Sequence, residues 1–200
     1  MGEKAQRLNE IIQAMFKLLP GQRVGAMLDY ATVAIPELLE EVRSSCQPFW
    51  EQRGQTVEID AHSAARYVQA DREKLHDVLE NLLINAIKFT PDGGTIRMSA
   101  RMEIGGYVAL SVCDQGPGVP PGERPHIFEP FYAGGEVYQH STGDAGYQKR
   151  GMGLGLAVVR HFVQLHGGTV NVQSSGEGAT FTVIIPVDAP GRKGRPEAPE

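Results

Sequence analysis

The chain lacks most of the features that settle a reading at once. Cysteine is nearly missing: Cys46 and Cys113 are the only two in 200 residues, with no C-x-x-C and no histidine cluster beside them. Neither a disulfide framework nor a zinc site is therefore expected, and a reducing compartment fits. No apolar run reaches the roughly 18 residues that a membrane span needs, and no signal-peptide core follows Met1. Positive charge is in deficit, with 19 Lys and Arg against 24 Asp and Glu, a net charge of −5. Clustered cations hold nucleic acid and anionic membrane surfaces, so neither is expected as a partner. A cytoplasmic chain is expected, with the membrane association of any longer parent left open. Glycine, by contrast, is plentiful. Eighteen of the 24 glycines lie between Gly93 and Gly178, and so local an excess asks for a local reason. At this length and 41% apolar residues, the chain can bury one full core.

From Lys4 to Leu19 the apolar residues Leu8, Ile11, Ile12, Met15, Phe16 and Leu19 follow helical spacing. A short strand is expected near Tyr30–Ile35. Pro36 then suits the first turn of a helix running to about Arg53, with Leu38, Leu39, Val42 and Phe49 inward. Thr56–Asp60 and Arg66–Gln69 read as short strands, and Asp71 as the N-cap of a long helix ending near Phe89. Thr95–Glu103 and Tyr107–Cys113 form a hairpin across Gly105-Gly106, and Thr169–Ser174 and Thr180–Val187 form another. Between them a helix covers Gly153–His166. The expected class is α/β (α+β): a two-layer sandwich of about three helices on one mixed, mostly antiparallel sheet. The segment Asp114–Arg150 shows little periodicity, and loops of that length are usually functional.

On the helix Asp71–Phe89, Leu75, Val78, Leu79, Leu82, Leu83 and Ala86 occupy one arc of about 140°. Asn81, Asn85 and Lys88 line a stripe beside that arc, at the margin of the core. Amide oxygens there suit Mg²⁺ and an ammonium suits phosphate, although a solvated helix edge is the ordinary reading of an Asn-x3-Asn pair. Ile84 lies off the arc and is expected to be exposed. Asp114-Gln115-Gly116-Pro117-Gly118 follows a strand; its carboxylate can accept from an exocyclic amine, and its glycines let backbone lie close to a flat ligand. Gly151-Met152-Gly153-Leu154-Gly155 opens a helix with Lys149 and Arg150 just before it, an arrangement that favours anions. It is neither a Walker A loop nor a dinucleotide fingerprint.

Taken in order, Asn81-x3-Asn85-Ala-Ile-Lys88-Phe89, Asp114-x-Gly116-x-Gly118, Ile127-Phe128-Glu129-Pro130-Phe131-Tyr132, Gly151-x-Gly153-x-Gly155 and Gly178-Ala-Thr180-Phe-Thr resemble the catalytic, ATP-binding domain of sensor histidine kinases. The resemblance covers the chain from about Asp29 to Val187. The resemblance implies ATP and Mg²⁺ as cofactors, with Asn85 on the metal, Asn81 lining the site and Lys88 on phosphate. It also places Asp114 on the adenine amine, Gly116 and Gly118 along the adenine slot, and Thr180 joining Asp114 through water. Phe128 and Phe131 would anchor a lid over about 117–150, and Gly151, Gly153 and Gly155 would hinge its phosphate-facing end. Residues 1–21 would be the end of a dimerization hairpin, 22–188 the catalytic domain and 189–200 a disordered tail. The partners implied are a dimerization domain carrying the acceptor histidine and, downstream, a response regulator.

Two positions depart from the family pattern. Ala133 stands where many relatives carry a basic residue, so Lys149 or Arg150 would have to serve the phosphates. None of His62, His76, His126, His140, His161 and His166 has the context of a phosphoacceptor. Superfamily ATPases place a glutamate base where this chain has Asn81, and Glu80 lies about 100° further round the helix. An ATPase, a serine kinase of the superfamily and a non-catalytic nucleotide-binding module are the alternatives to a histidine kinase.

Overall fold

A computed structural model describes residues 28–61, 65–132 and 153–189. The expected N-terminal helix, the tail beyond residue 189, and Ala133, Lys149, Arg150 and Gly151 lie outside the described residues. Strand β1 (Tyr30–Ala34) leads straight into helix α1 (Ile35–Ser45), whose first turn holds Pro36, where a missing N–H costs nothing. Leu38, Leu39 and Val42 point inward and are fully buried. The single helix expected to reach Arg53 is in fact two. It stops at Cys46, with φ −89° and ψ 0°, and α2 (Gln47–Gln52) follows. Pro48 is the cause, because it has no N–H and its ring collides with the carbonyl four residues back.

The chain continues through β2 (Thr56–Ala61), β3 (Tyr67–Asp71), α3 (Arg72–Phe89), β4 (Thr95–Glu103), β5 (Tyr107–Cys113), α4 (Gly155–Leu165), β6 (Thr169–Ser175) and β7 (Gly178–Pro186). Five strands form a mixed sheet in the order β2-β4-β5-β7-β6, parallel only between β2 and β4. The class is the expected mixed α/β sandwich, with four helices among the described residues because Pro48 divides one. The sheet is not single. Strands β1 and β3 pair antiparallel as a separate ribbon, tied to the end of β7 by the Gln69 N–H donating to the Val187 carbonyl at 2.7 Å.

Helix α3 is the spine. Asp71 caps it, with Oδ1 accepting from the Lys74 N–H at 3.1 Å, a bond worth about 1 kcal/mol. Leu75, Val78, Leu79, Leu82, Leu83 and Ala86 are at most 3% exposed, each large one contributing about 1.5–3 kcal/mol of burial. Ile87 joins them, and Ile84, expected outside, is half-buried against the core. Opposite lie Val108, Leu110 and Val112 of β5 and Phe181, Val183 and Ile185 of β7. His166, just past α4, bridges α4 and the start of α3: its Nδ1–H donates to the Phe162 carbonyl at 2.7 Å, which leaves Nε2 to accept from the Asp71 N–H at 3.0 Å.

Candidate functional site

Two glycine-bearing segments, at Gly116 and Gly155, close on the C-terminal half of α3. Asn81, Asn85 and Lys88 are all half-buried along its rim, as their spacing predicts. The Asn81 amide donates through Nδ2 to the Asp77 carbonyl at 2.7 Å, so its oxygen is the free end. That oxygen lies 2.8 Å from where a Cβ on Gly155 would stand, so a side chain there would push the amide aside. The Asn85 side chain makes no hydrogen bond among the described residues. Two neutral amide oxygens one turn apart form a hard donor set that fits Mg²⁺, which takes few protein ligands and completes its shell with phosphate and water. The Lys88 ammonium lies 4.9 Å from the Phe89 ring centroid, and burial holds its pKa below the ordinary lysine range. An anion beside it would restore the charge that burial disfavours.

Asp114 leaves the end of β5 and is 6% exposed. Its Oδ1 accepts from the Gly116 N–H at 2.8 Å and the Ala179 N–H at 3.2 Å, while its own N–H donates to the Ala179 carbonyl at 2.9 Å. Burial pushes the carboxyl above the usual aspartate range, and the two N–H bonds oppose that only in part. Oδ2 takes no hydrogen bond among the described residues and is left to accept from a ligand. Backbone closes around it. A Cβ on Gly116 would stand 2.9 Å from both Asp114 Oδ1 and the Phe89 carbonyl oxygen, and one on Gly118 would stand 2.0 Å from the Ser175 carbonyl oxygen.

Thr180 does not join Asp114. In the antiparallel register Cys113 faces Thr180 and Ser111 faces Thr182, and the Ser111 and Thr182 hydroxyls meet at 2.9 Å. Alternation therefore puts Thr180 on the face of the sheet away from Asp114 and puts Ala179, 4% exposed, beside the carboxylate. Ala179 is the site residue that sequence reasoning missed. The signal for it was available, since Phe181 and Val183 are core and residue 179 shares their parity.

Phe128 and Phe131 also separate. Phe128 packs edge-on against Phe181, with centroids 6.4 Å apart, and Ile127 beside it is buried. Phe131, expected as a second anchor, is 61% exposed. Its backbone is what is held: φ is +65°, and its N–H donates to the Gly153 carbonyl at 2.9 Å. Gly153, with φ +66°, admits the crossing, because a Cβ there would stand 2.4 Å from the Tyr132 carbonyl oxygen. The first stretch of the expected lid is fastened to the domain. The Val119 N–H donates to Ser174 Oγ at 2.6 Å, and Arg124 donates to the Ser174 carbonyl at 2.8 Å.

A recessed acceptor for an amine, an amide-lined helix rim and an ammonium beside it make a slot for a flat base with an anionic tail. Residues 70–189 match the model of the histidine kinase-, DNA gyrase B- and HSP90-like ATPase family, and the chain belongs to that family. Among its relatives, the sensor histidine kinase TmoS of Ectopseudomonas mendocina is 36% identical over 176 residues, covering 86% of this chain and 17% of TmoS. The alginate biosynthesis sensor protein KinB of Pseudomonas aeruginosa is 31% identical over 186 residues, covering 92% of this chain and 29% of KinB. The chain thus spans less than a third of either relative. Of solved structures, full-length ShkA in complex with AMPPNP superposes with a TM-score of 0.78 at 30% identity, over 94% of this chain and 37% of ShkA. A nucleotide-free catalytic domain of the histidine kinase ThkA gives 0.68 at 25% identity, over 80% of this chain and 99% of that domain.

Proposed function

We propose that the chain binds Mg-ATP in this slot and passes the γ-phosphoryl group to a histidine on a separate dimerization domain, with a response regulator as the eventual acceptor. The observation that carries the reading is Asp114. One oxygen is satisfied by backbone and the other is open at the bottom of a recess, which suits a single amine donor such as that of adenine. Family membership and the AMPPNP bound to ShkA support a nucleotide.

In this reading Asp114 orients the base, the Gly116 and Gly118 backbone walls it, and Lys88 draws the phosphates to the α3 rim. Asn85, with Asn81, would hold Mg²⁺. The bound ion would neutralise charge on the transferring phosphate. Lys149, Arg150 and Gly151 are proposed on the phosphate side, Gly153 and Gly155 at the foot of the lid. Transfer breaks the bond from γ-phosphorus to the bridging oxygen, leaves ADP, and forms a phosphorus–nitrogen bond; the imidazole proton goes to a carboxylate of the acceptor domain. The chain's contribution is positioning and charge.

A hydrolase is the weaker reading, because Glu80 points elsewhere. Its carboxylate gathers with His76 and Asp77 and adds to the rise of the Cys46 thiol toward α1, pushed mainly by burial to about 11. With labelled ATP alone, the chain is expected neither to label itself nor to hydrolyse ATP above a slow background. A dimerization domain from a relative, added in trans, becomes labelled, and Asn85→Ala abolishes the labelling while Glu80→Gln spares it. Rapid hydrolysis lost in Glu80→Gln would favour the ATPase, and binding without transfer a non-catalytic module.

A further inference from the structure

The last four carbonyls of a helix have no partner inside it and must find one elsewhere. Helix α3 ends without a glycine cap; its C-cap is Thr90, extended at φ −64° and ψ 134°. Partners come instead from the segment between α2 and β2. Gln55, 3% exposed, donates through Nε2 to the carbonyls of Ile87 at 3.0 Å and Thr90 at 2.8 Å, and at 3.4 Å to that of Pro91. The Arg53 guanidinium donates to the Ile87 carbonyl and, at 3.2 Å, to that of Lys88, and it is anchored at 2.8 Å to Asp92. Backbone completes the clasp: the Gly93 N–H donates to the Arg53 carbonyl and the Thr56 N–H to that of Gly94, each at 3.0 Å.

Gln55 sits there at a cost. Its Oε1 is buried with no hydrogen-bond partner among the described residues, a penalty that an apolar residue filling the same space would avoid. What an apolar residue would not supply is the N–H₂ group that holds the carbonyls of the last turn. That turn carries Lys88, whose ammonium lies over the Phe89 ring.

We propose that Gln55 is a positioning residue that, with Arg53, sets Lys88 toward the phosphates. The proposal rests on the nucleotide reading above. Gln55→Met keeps the volume and removes the amide. ATP without metal is titrated calorimetrically into wild type, Gln55→Met, Lys88→Met and the double variant. Gln55→Met is expected to weaken binding about 5- to 10-fold alone and less than about 2-fold in the Lys88→Met background. Equal loss in both backgrounds, or none in either, overturns the proposal. A readout free of nucleotide runs beside it, the titration of the Lys88 ammonium followed by NMR at its Cε. Burial depresses it in wild type, and it is expected to rise toward the ordinary lysine value in Gln55→Met. A Lys88 titration unmoved by the substitution overturns the proposal whatever ATP does. Wild type that binds no ATP sinks the nucleotide reading instead, so the two failures are distinct. Should Gln55→Met fail to fold by circular dichroism, Arg53→Met, which removes the donor to the Lys88 carbonyl, is run through the same cycle.

Discussion

Replacing Asp114 by asparagine tests the slot at the point where its geometry is tightest. Asparagine has the same shape but one acceptor oxygen. Oδ1 of Asp114 takes two backbone N–H groups, from Gly116 and Ala179. If the asparagine turned its NH₂ to that side, donors would face donors and two hydrogen bonds of about 1 kcal/mol each would be lost. The oxygen must therefore stay on the backbone side, and the NH₂ takes the place of Oδ2, facing the ligand. A donor now meets the amine of adenine. The loss is that of a hydrogen bond to a charged group, about 1.5–3 kcal/mol, or about 10- to 150-fold in affinity. Stability goes the other way. Burial raises the Asp114 carboxyl, and a raised acid favours the fold below its unfolded pKa and loses that contribution as pH rises through the folded value. At pH 7 the wild type carries the whole burial penalty and the asparagine carries none, so the melting temperature without nucleotide is expected to hold or rise. Calorimetric titration of ADP and ATP, paired with thermal denaturation, reads both. Discrimination should narrow as well, because the new NH₂ can donate to the O6 of guanine. Unchanged ATP affinity would remove Asp114 from the base site. A large drop in melting temperature with binding lost would make it a structural residue instead.

Two further outcomes bear on the frame around the slot. Gly118→Ala is expected to cost at least about 2 kcal/mol, read by urea unfolding. The added Cβ meets the Ser175 carbonyl oxygen at 2.0 Å in a backbone already at φ +76°. Gly122→Ala, with open space around it, should stay within about 0.5 kcal/mol, and equal costs would refute the close-approach argument. Stability is also expected to fall with acid through His166. Burial holds its pKa below the ordinary value of about 6.5, more than the Phe162 carbonyl and Asp71 raise it, with Lys74 adding to the depression. The unfolded chain then binds the proton first, so stability is complete above about pH 6.5 and is lost toward the folded value at up to about 1.4 kcal/mol per pH unit. A flat profile between pH 7.5 and 5.5, or a slope that survives in His166→Gln, would refute it.

Most of the frame was legible because it rests on local rules. The α3 periodicity picked out its buried arc, Asp71 announced the cap, and both hairpins followed from alternation and glycine. The split at Cys46 was legible too, since Pro48 forbids a continuous helix, but the apolar spacing of Leu39, Val42 and Phe49 runs across the break and masks it. Thr180 misled for a chemical reason: its hydroxyl suits an adenine site better than the Ala179 methyl does, and strand parity overrides that preference. The pairing of β1 with β3 was not legible, because it joins residues such as Thr32 and Gln69 across two intervening helices and a strand. Neither was the clasp of Arg53 and Gln55, whose partners lie more than 30 positions along the chain.

Phe131 shows where local rules stop. Its aromatic side chain and its place two residues before Ala133 suggest an anchor, and a phenylalanine ordinarily avoids a positive φ. The left-handed backbone is imposed from outside, by the Gly153 carbonyl that accepts its N–H and by a glycine able to lie against Tyr132. That single crossing brings together the two points where the described chain meets residues 133–152. Two residues further on, Gly155 rests against the Asn81 amide oxygen. The foot of the expected lid and the amide rim of α3 are thus joined by a backbone crossing at Gly153 and a close approach of Gly155 to the Asn81 side chain. A side chain at Gly153 would strain the crossing, and one at Gly155 would turn the Asn81 amide. The two glycines therefore serve separable ends of one connection, the first admitting the crossing of Phe131 and Tyr132 and the second leaving Asn81 its orientation.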